Sequence, residues 1–470
     1  MKNLAKALFV TVLIILVLSG AKAQADYVLT DLGGRRIIIT HPYKRIISLY
    51  GAHTENLFSL GLSDKIIGVS RNEAFPPEVL RKPVFSYHDD PEKFIGMRPD
   101  LVLIRPMIDR GYKPFVKKLE VAGITIVSLQ PKSVTEMYNY WRDLGRLTGR
   151  EKQAEEMIKE FNRRINEIKK IVATIPKEKR KKVYFEAIHR RMKTFSPKSI
   201  AILALETAGG INVARDAVAV KGTNIAFYGK EKILSHAAEI DVYLAQRGAM
   251  NHITIAKIKQ EAGYGIIKAV RNNQIYIIDE KIVSRPTLRL ADGIYEIGRI
   301  LYPEKFNDVT NLLNIKKLNH AQYAEMFVKL FNIPIKTPDY YHDIKKRSGR
   351  VHKYGDFRDI SYRGNVYKFA ETMAYRGLLY NPDKYHFYPK RYITRKEVAY
   401  SFFVIKDLPE VKDFKIKDVP ETYSVYEQIK TVVGLGIMKL DRNGLFNPDG
   451  NVSGRELFEM VKKVKKLMLD

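Results

Sequence analysis

Residues 151–172 have the sequence EKQAEEMIKEFNRRINEIKKIV, and they set the architecture of the chain. Strong helix formers dominate this stretch, and apolar residues recur at Met157, Phe161, Ile165 and Ile168. The spacing predicts one long helix that ends before Pro176. We assign residues 150–175 to this connecting helix.

Short apolar runs alternate with helical patterns on both sides of the connecting helix. This alternation indicates parallel sheets that are covered by helices on both faces. We therefore predict an α/β protein with two Rossmann-like lobes, at residues 26–149 and 176–303, joined by one long helix. A rigid connector of this kind limits how far the lobes can open. The predicted strands are 45–49, 66–69, 101–104 and 125–129 in the first lobe, and 182–187, 241–245 and 274–278 in the second.

Residues 1–25 have the pattern of a signal peptide. Lys2 and Lys6 precede an apolar run from Ala7 to Leu18, and small residues at 21–25 offer a cleavage site. The run is about a dozen residues, which is short for a membrane span. We predict an exported protein of the periplasm or cell surface. The chain has no Cys, which excludes disulfides and a lipid-modified cysteine anchor.

The chain is strongly basic, with 81 Lys and Arg against 52 Asp and Glu and a net charge of +29. Such a balance favours an anionic ligand or surface as a partner. Nucleic acid is not expected as a partner, because the signal pattern sends the protein out of the cell.

In residues 304–470 the alternation of short apolar runs with helical patterns stops, and an internal repeat appears. This repeat predicts a mostly α-helical module. Thr394-x-x-Glu397 and Ser453-x-x-Glu456 have the form of capping boxes at helix starts. Residues 318–331 provide the helix of a more divergent first unit. The positions that recur without a gap, 59 residues later, are Asp359, Gly377, Phe387, Pro389, Thr394 and Glu397, matched by Asp418, Gly436, Phe446, Pro448, Ser453 and Glu456.

Residues of about 28–303 resemble the helix-linked substrate-binding proteins of ABC importers, which serve iron–siderophore complexes, haem and cobalamin. The matching stretches are TDLGGR from Thr30, KRIISLYGAHTENLFSLGLSDKIIGVS from Lys44, EKFIGMRPDLVLI from Glu92, AGGINV from Ala208, KAVRNNQIYIID from Lys268, and Arg285-Pro286. The resemblance implies an extracytoplasmic carrier that delivers its ligand to a permease and its ATPase. It implies no enzymatic activity and no resident cofactor.

Residues of about 318–470 resemble tandem S-layer homology repeats. The matching stretches are YITRKEVAYSF from Tyr392 and NGLFNPDGNVSGRELF from Asn443. The resemblance implies a tether to a cell-wall polymer or envelope glycan, with Arg395 and Arg455 as contacts. The second motif departs from the pattern, because Gly454 precedes Arg455 and shifts the arginine by one position. The first unit, at Asn319-His320-Ala321-Gln322, has no arginine, so a structural or protein-binding role is the alternative for the module.

In open α/β sheets, ligands bind beyond the carboxyl ends of the strands. Two facing lobes then place their ligand in the cleft between them. Several of the side chains after the predicted strands are arginines, which suit carboxylate, catecholate and hydroxamate oxygens. We predict a small anionic metal chelate, of the iron–siderophore type, as the ligand. The predicted ligand-binding residues are Tyr50, His53, Arg71, Tyr87, Arg105, Arg110, His189, Arg190, Arg247, His252 and Arg285.

Cobalamin, haem and a metal ion remain alternatives for the ligand. Imidazoles suit metal ions and haem iron, and the candidates are His53, His189 and His252, which follow predicted strands, and His88, in the short loop before Glu92. No close-spaced pair of metal ligands accompanies them, so no metal site is predicted.

Two glutamates have a separate role that the family resemblance implies. Glu92 and Glu231 fall where one glutamate at the top of each lobe pairs with permease arginines. Exposed glutamates at helix starts are the simpler alternative, since the helix dipole favours them there.

The sequence offers no catalytic motif. It has no GxxxxGK phosphate loop, no G-x-S-x-G nucleophile elbow and no HExxH. A wall-associated hydrolase and a purely structural surface-layer protein are the remaining alternatives to a solute carrier.

Overall fold

The computed structural model describes residues 27–468, except 72, 74, 221–222, 337–356, 363, 381–382, 384, 406–407 and 413. The predicted signal peptide lies outside the described residues. Across the described part of the chain, no helix combines the length and the apolar character needed to cross a membrane.

The first lobe is built on a parallel sheet that follows a small antiparallel hairpin. The hairpin consists of β1 (Tyr27–Thr30) and β2 (Arg36–Ile39). The sheet strands are β3 (Ile46–Ser48), β4 (Ile66–Ser70), β5 (Val84–Phe85), β6 (Leu101–Ile104) and β7 (Thr125–Ser128). They pair in the order β5-β4-β3-β6-β7, and every pair is parallel. The helices of this lobe are α1 (Gly51–Ser59), α2 (Pro91–Gly96), α3 (Pro106–Gly111) and α4 (Lys113–Val121).

Two helices in succession connect the lobes. Helix α5 (Val134–Thr148) starts at Ser133, whose hydroxyl accepts from the Glu136 amide, and stops at Gly149 in the left-handed conformation. Helix α6 (Glu151–Ala173) is the predicted connecting helix. Its apolar stripe is buried in one hydrophobic cluster with residues of both lobes. The lobes and their connector therefore share a continuous core.

The second lobe contains a mixed sheet. Its strands are β8 (Lys182–Ile188), β9 (Lys193–Phe195), β10 (Ile211–Asn212), β11 (Val218–Ala219), β12 (Ile225–Phe227), β13 (Val242–Arg247) and β14 (Ile275–Asp279). The order is β11-β12-β9-β8-β13-β14, with β10 also paired to β8. Strands β8, β13 and β14 are parallel, as predicted, and β10 is a further parallel strand that was not predicted. Strands β9, β11 and β12 form an antiparallel edge that the sequence did not reveal.

The helices of the second lobe are short except for the last long one. They are α7 (Ile200–Thr207), α8 (Lys230–Ser235), α9 (Ile255–Gln260), α10 (Lys268–Arg271), α11 (Glu280–Val283), α12 (Leu290–Leu301) and α13 (Pro303–Phe306). Helix α12 contacts both α6 and α7, and so closes the shared core.

The C-terminal module is helical, as predicted, and has its own hydrophobic core. Its helices are α14 (Thr310–Leu313), α15 (His320–Leu330), α16 (Asn365–Tyr375), α17 (Arg395–Ile405), α18 (Tyr426–Gly434) and α19 (Gly454–Leu467). The repeat has a physical basis, since the carboxylates of Asp359 and Asp418 each accept two backbone amides, from residues 387–388 and 446–447.

Candidate functional site

Residues that follow strands of the two lobes lie close together, at the strand ends where ligands of open α/β sheets bind. Gly51 follows β3, and a side chain at this position would overlap the guanidinium of Arg285, which follows β14. Arg285, Arg105 and Glu280 lie close enough for their charges to act on the Tyr50 hydroxyl. The residues after β3, β6 and β14 thus form one interlobe cluster.

Tyr50 and Arg105 form the centre of the first lobe's contribution. The Arg105 guanidinium stacks on the Tyr50 ring, 5.1 Å from its centroid. Burial raises the pKa of the Tyr50 hydroxyl, so the phenol is neutral and available as a hydrogen-bond donor. Arg105 remains partly exposed beside it.

An aromatic trio, Tyr87, His88 and Tyr112, lies on the same lobe. The centroid of the Tyr87 ring lies 4.4 Å from that of His88 and 4.6 Å from that of Tyr112. The Tyr112 hydroxyl is 3.4 Å from Nε2 of His88. Tyr112 was not predicted, because it lies within a helical pattern rather than directly after a strand.

Further predicted site residues are exposed on each lobe. Arg71 follows β4 with 66% of its side chain exposed, and it lies 3.6 Å from Asp89. Arg110, Arg190 and Arg247 are exposed, as is His252. The guanidinium groups of the four arginines therefore present N–H donors to solvent, where an anionic ligand could approach.

His53 does not fit the predicted role, and the structure corrects this prediction. The residue is fully buried in α1. Its Nε2 donates to the Ile104 carbonyl at 2.9 Å, and its Nδ1 accepts from the Tyr140 hydroxyl at 2.7 Å. Burial lowers the pKa of His53 to about 4. Both ring nitrogens are therefore occupied in a neutral, structural imidazole.

Arg285 is also buried, and its charge faces a partner within the protein. Its Nη1 lies 3.3 Å from Oε1 of Glu55, on α1 of the opposite lobe. Arg289 makes two further bonds to the same carboxylate. Arg285 thus joins the lobes beneath the cleft, and the prediction that it presents its guanidinium to a ligand is corrected.

His189 is turned inward between two carboxylates. Its Nδ1 donates to Glu186 at 2.7 Å, and its Nε2 lies 3.5 Å from Glu261. The hydrogen bond to Glu186 raises the pKa of the His189 imidazole. The residue follows β8 as predicted, but its ring nitrogens face protein groups.

Sequence reasoning also missed three acidic residues that act on predicted site residues: Glu280 on Tyr50, Glu55 on Arg285 and Glu186 on His189. The side chain of Glu280 lies against Gly248, in the loop after β13. Glu55 and Glu186 are almost fully buried. Glu55 and Glu186 could have been found from the sequence, because each is a charged residue inside an apolar helix or strand pattern. Within the described ranges, no group of three or more His, Asp or Glu is arranged to hold a metal ion.

Glu92 lies on the first lobe and Glu231 on the second. Each lies in the first turn of a short helix, α2 and α8 respectively, and each is exposed. The Glu92 side chain is 72% exposed, with Lys118 at 3.9 Å. Both carboxylates are therefore accessible to a partner.

The first residues of α15, α17 and α19 are equivalent positions in the three units. His320 Nδ1 donates to the Phe387 carbonyl at 2.9 Å, and Arg395 Nε donates to the Phe446 carbonyl at 2.7 Å. These two side chains therefore join successive units, because Phe387 and Phe446 are equivalent positions of the repeat. The third position is Gly454, and a side chain there would overlap the Leu312 carbonyl.

The two arginines predicted for glycan contact do not share a site. Arg395 also donates to the Lys439 carbonyl at 2.7 Å, and it lines a cavity of about 680 Å³ with Asp441, Glu456 and Lys463. Arg455 is exposed at a different junction, near Asn314. The shift of the arginine by one position accounts for this separation.

Two family profiles match the chain. The family described as "Periplasmic binding protein" matches residues 46–282, and the family described as "S-layer homology domain" matches residues 415–458. The first match runs from β3 to α11 and includes α6, and the second covers α18 and the start of α19 in the last repeat.

Similar proteins are known from several organisms. The uncharacterized ABC transporter substrate-binding lipoprotein YvrC of Bacillus subtilis is 26% identical over 291 residues, covering 59% of this chain and 86% of that protein. The vitamin B12-binding protein of Vibrio cholerae is 22% identical over 260 residues, covering 54% of this chain and 88% of that protein. The crystal structure of a possible iron-binding, periplasmic solute-binding protein of Staphylococcus epidermidis covers 56% of this chain and 100% of its own, with 28% identity and a TM-score of 0.49.

Proposed function

Because this chain belongs to the periplasmic binding protein family, we propose that its lobes capture a ferric siderophore-type chelate in the cleft and deliver it to an ABC permease. The chain is an exported, envelope-associated substrate-binding protein of an ABC importer, and it carries an S-layer homology domain at residues 415–458.

The observation that carries the ligand proposal is the set of exposed guanidinium groups at the strand ends. Arg105 stacks on Tyr50, and Arg71, Arg110, Arg190 and Arg247 are exposed at or after the carboxyl ends of β4, β6, β8 and β13. The planar guanidinium group of arginine holds its N–H donors in a fixed geometry, which suits the carboxylate and catecholate oxygens of an anionic chelate. The neutral Tyr50 hydroxyl adds an uncharged donor.

The ligand proposal is tested by removing two of these charges together. We expect the Arg105→Ala, Arg247→Ala variant to lose binding of a ferric catecholate or hydroxamate siderophore, measured by isothermal titration calorimetry. The matched control is Arg81→Ala, Arg271→Ala, which removes two exposed arginines that precede β5 and β14. If both double variants bind like the unchanged protein, the cleft arginines do not contact the ligand.

A corrinoid is the second candidate. The name of the Vibrio cholerae relative supports it, and the trio of Tyr87, His88 and Tyr112 offers rings against which a macrocycle could pack. Cyanocobalamin in the same titration distinguishes the two ligands. Substitution of Tyr87 and Tyr112 by Ala is expected to weaken corrinoid binding more than siderophore binding.

We propose that Glu92 and Glu231 contact the permease. Each carboxylate is exposed at the start of a helix, one on each lobe. Two charges held at a fixed separation let a partner recognise the relative position of the lobes, with electrostatics setting orientation more than affinity. Replacement of both by Ala is expected to abolish stimulation of the cognate ATPase while ligand affinity stays unchanged.

We propose that the C-terminal module tethers the protein to a cell-wall polymer or envelope glycan. The cavity lined by Arg395 combines cationic, anionic and apolar groups, as polyhydroxylated ligands require. The full chain is expected to sediment with purified cell walls and to remain soluble with walls from which secondary polymers have been extracted. Equal sedimentation with both preparations would contradict the proposal.

A further inference from the structure

Glu186 is a buried carboxylate at the centre of the second lobe's sheet. It lies on β8 and is 1% exposed. Its oxygens accept from the Tyr243 hydroxyl, from Nδ1 of His189 at 2.7 Å and from Nδ2 of Asn251 at 3.1 Å. A buried carboxylate with three donors is well compensated, and it fixes the groups that donate to it.

The hydrogen bonds of Glu186 extend to all three cleft-facing loops of the second lobe. Asn251 accepts from the His189 backbone amide at 3.0 Å and donates to the Gln246 carbonyl at 2.8 Å. The Gln246 side chain donates to the Ala187 carbonyl at 3.2 Å and accepts from the Ser284 hydroxyl at 2.7 Å. The loops after β8, β13 and β14 are thereby connected by one network.

His189 extends this network in the opposite direction. Its Nε2 faces Glu261 at 3.5 Å, and Glu261 forms an ion pair with Lys230. Lys230 is the first residue of α8, and the next residue is Glu231. An unbroken series of contacts therefore runs from the cleft loops to the helix that carries the proposed permease contact.

The charge of His189 decides whether this series is complete. The groups that face the imidazole are Glu186, Glu261 and the edge of the Tyr264 ring, with Tyr243 and Lys230 behind the two carboxylates. A protonated ring can donate to both carboxylates, whereas a neutral ring can donate to only one. The hydrogen bond to Glu186 raises the pKa of His189 above its ordinary value of 6.5, and Glu261 acts in the same direction.

We infer that His189 is a positioning residue which, by bridging Glu186 and Glu261, holds the cleft loops of the second lobe in register with helix α8. The identity of the partner at Glu231 rests on the proposed function, but the bridge itself does not. The bridge is complete at pH values below the ordinary pKa of histidine. It is lost as the pH rises through the raised pKa.

Hydrogen exchange of the ligand-free full chain tests the inference. We expect amides of residues 189–192 and 230–235 to lose protection together, by about tenfold, between about pH 5 and about pH 8 after correction for intrinsic exchange rates. The His189→Gln variant should show low protection at every pH, with no pH response. The matched control is His236→Gln, which removes a solvent-accessible His–Glu pair with Glu239 at the end of α8, and it should behave like the unchanged protein.

A second variant keeps the test decisive if His189→Gln fails to fold. Glu261→Gln leaves the bond between His189 and Glu186 intact, and its side chain is partly exposed. We expect it to remove the pH response of residues 230–235 while the loop at 189–192 keeps its own. A wild-type pH response at 230–235 in this variant would overturn the inference. Since neither ligand nor permease is added, that result would leave the transport proposal standing, and a failure to bind chelates would leave the bridge standing.

Discussion

Glu55 of the first lobe and Arg289 of the second form a two-point ion pair, with Nε to Oε2 at 3.0 Å and Nη2 to Oε1 at 2.7 Å. The side chains are only 3% and 9% exposed. Arg285 approaches the same carboxylate from the same lobe as Arg289. The two lobes are therefore connected by buried charges as well as by α6.

Removal of Glu55 should destabilise the protein strongly. The Glu55→Ala variant leaves two buried guanidinium groups without their carboxylate, so we expect a loss of about 3–5 kcal/mol in the free energy of unfolding. Urea denaturation followed by circular dichroism measures the change. The control is Glu156→Ala, on the exposed face of α6, which should change stability little. Equal stabilities for the two variants would contradict the interlobe role of Glu55.

Glu73 should make stability depend on pH. Burial raises the pKa of Glu73 to about 7 from its ordinary value of 4.5, and one carboxylate oxygen has no partner among the described residues. The folded protein therefore binds a proton that the unfolded chain releases, and stability falls as the pH rises from about 4.5 to about 7. The cost of the buried charge above this window is about 3 kcal/mol.

The Glu73→Gln variant should remove this dependence. We expect it to be more stable than the unchanged protein at pH 8 and to differ little near pH 4.5, as measured by thermal unfolding across the pH range. Glu78→Gln, at an exposed position nearby, serves as the control. A parallel pH profile for Glu73→Gln and the unchanged protein would show that Glu73 is not buried as a neutral acid.

Gly454 should be intolerant of any side chain. Its space is occupied by the Leu312 carbonyl, and its amide donates to the Ile315 carbonyl at 2.9 Å. The Gly454→Ala variant must displace the backbone, so we expect a loss of about 1–3 kcal/mol in the stability of the module. Gly96→Ala, where a Cβ would meet open space, should be tolerated. Hydrogen exchange of α14 and α19 locates the effect.

The C-terminal module should unfold together with the lobes. Tyr362 packs on Phe75 with ring centroids 5.5 Å apart, and Lys368 lies 3.5 Å from Asp292, which also pairs with Arg164. These contacts reach the first lobe, the second lobe and α6. We expect one calorimetric transition for the full chain, and two for the Tyr362→Ala, Lys368→Ala variant. The control, Tyr388→Ala, removes an exposed tyrosine of the module and should keep a single transition.

The sequence was sufficient for the elements whose pattern is set locally. The apolar runs at 46–48, 101–104 and 125–128 became strands, and the stripe from Met157 to Ile168 became the buried face of α6. The antiparallel strands β9, β11 and β12 escaped prediction because they are two or three residues long and carry no complete apolar alternation. The turn before β9 depends on Met192 in the left-handed conformation. This conformation is usually predicted from a glycine, and the residue here is a methionine.

The site was harder to predict than the fold. The strand-end rule locates a residue but not the direction of its side chain. Tyr50 and Arg105 lie together as expected, whereas His53, His189 and Arg285 are turned into the protein. His53 and Arg285 meet polar groups from distant parts of the chain, and His189 meets Glu261 as well as the nearby Glu186. Such pairings depend on tertiary packing, so spacing along the sequence does not reveal them.

Ligand capture by the cleft is the central claim, and titration calorimetry of the full chain with a ferric siderophore tests it most directly. The account predicts saturable one-to-one binding that disappears in the Arg105→Ala, Arg247→Ala variant and survives in Arg81→Ala, Arg271→Ala. Absence of binding to ferric siderophores and to cyanocobalamin, by a protein shown to be folded, would contradict it.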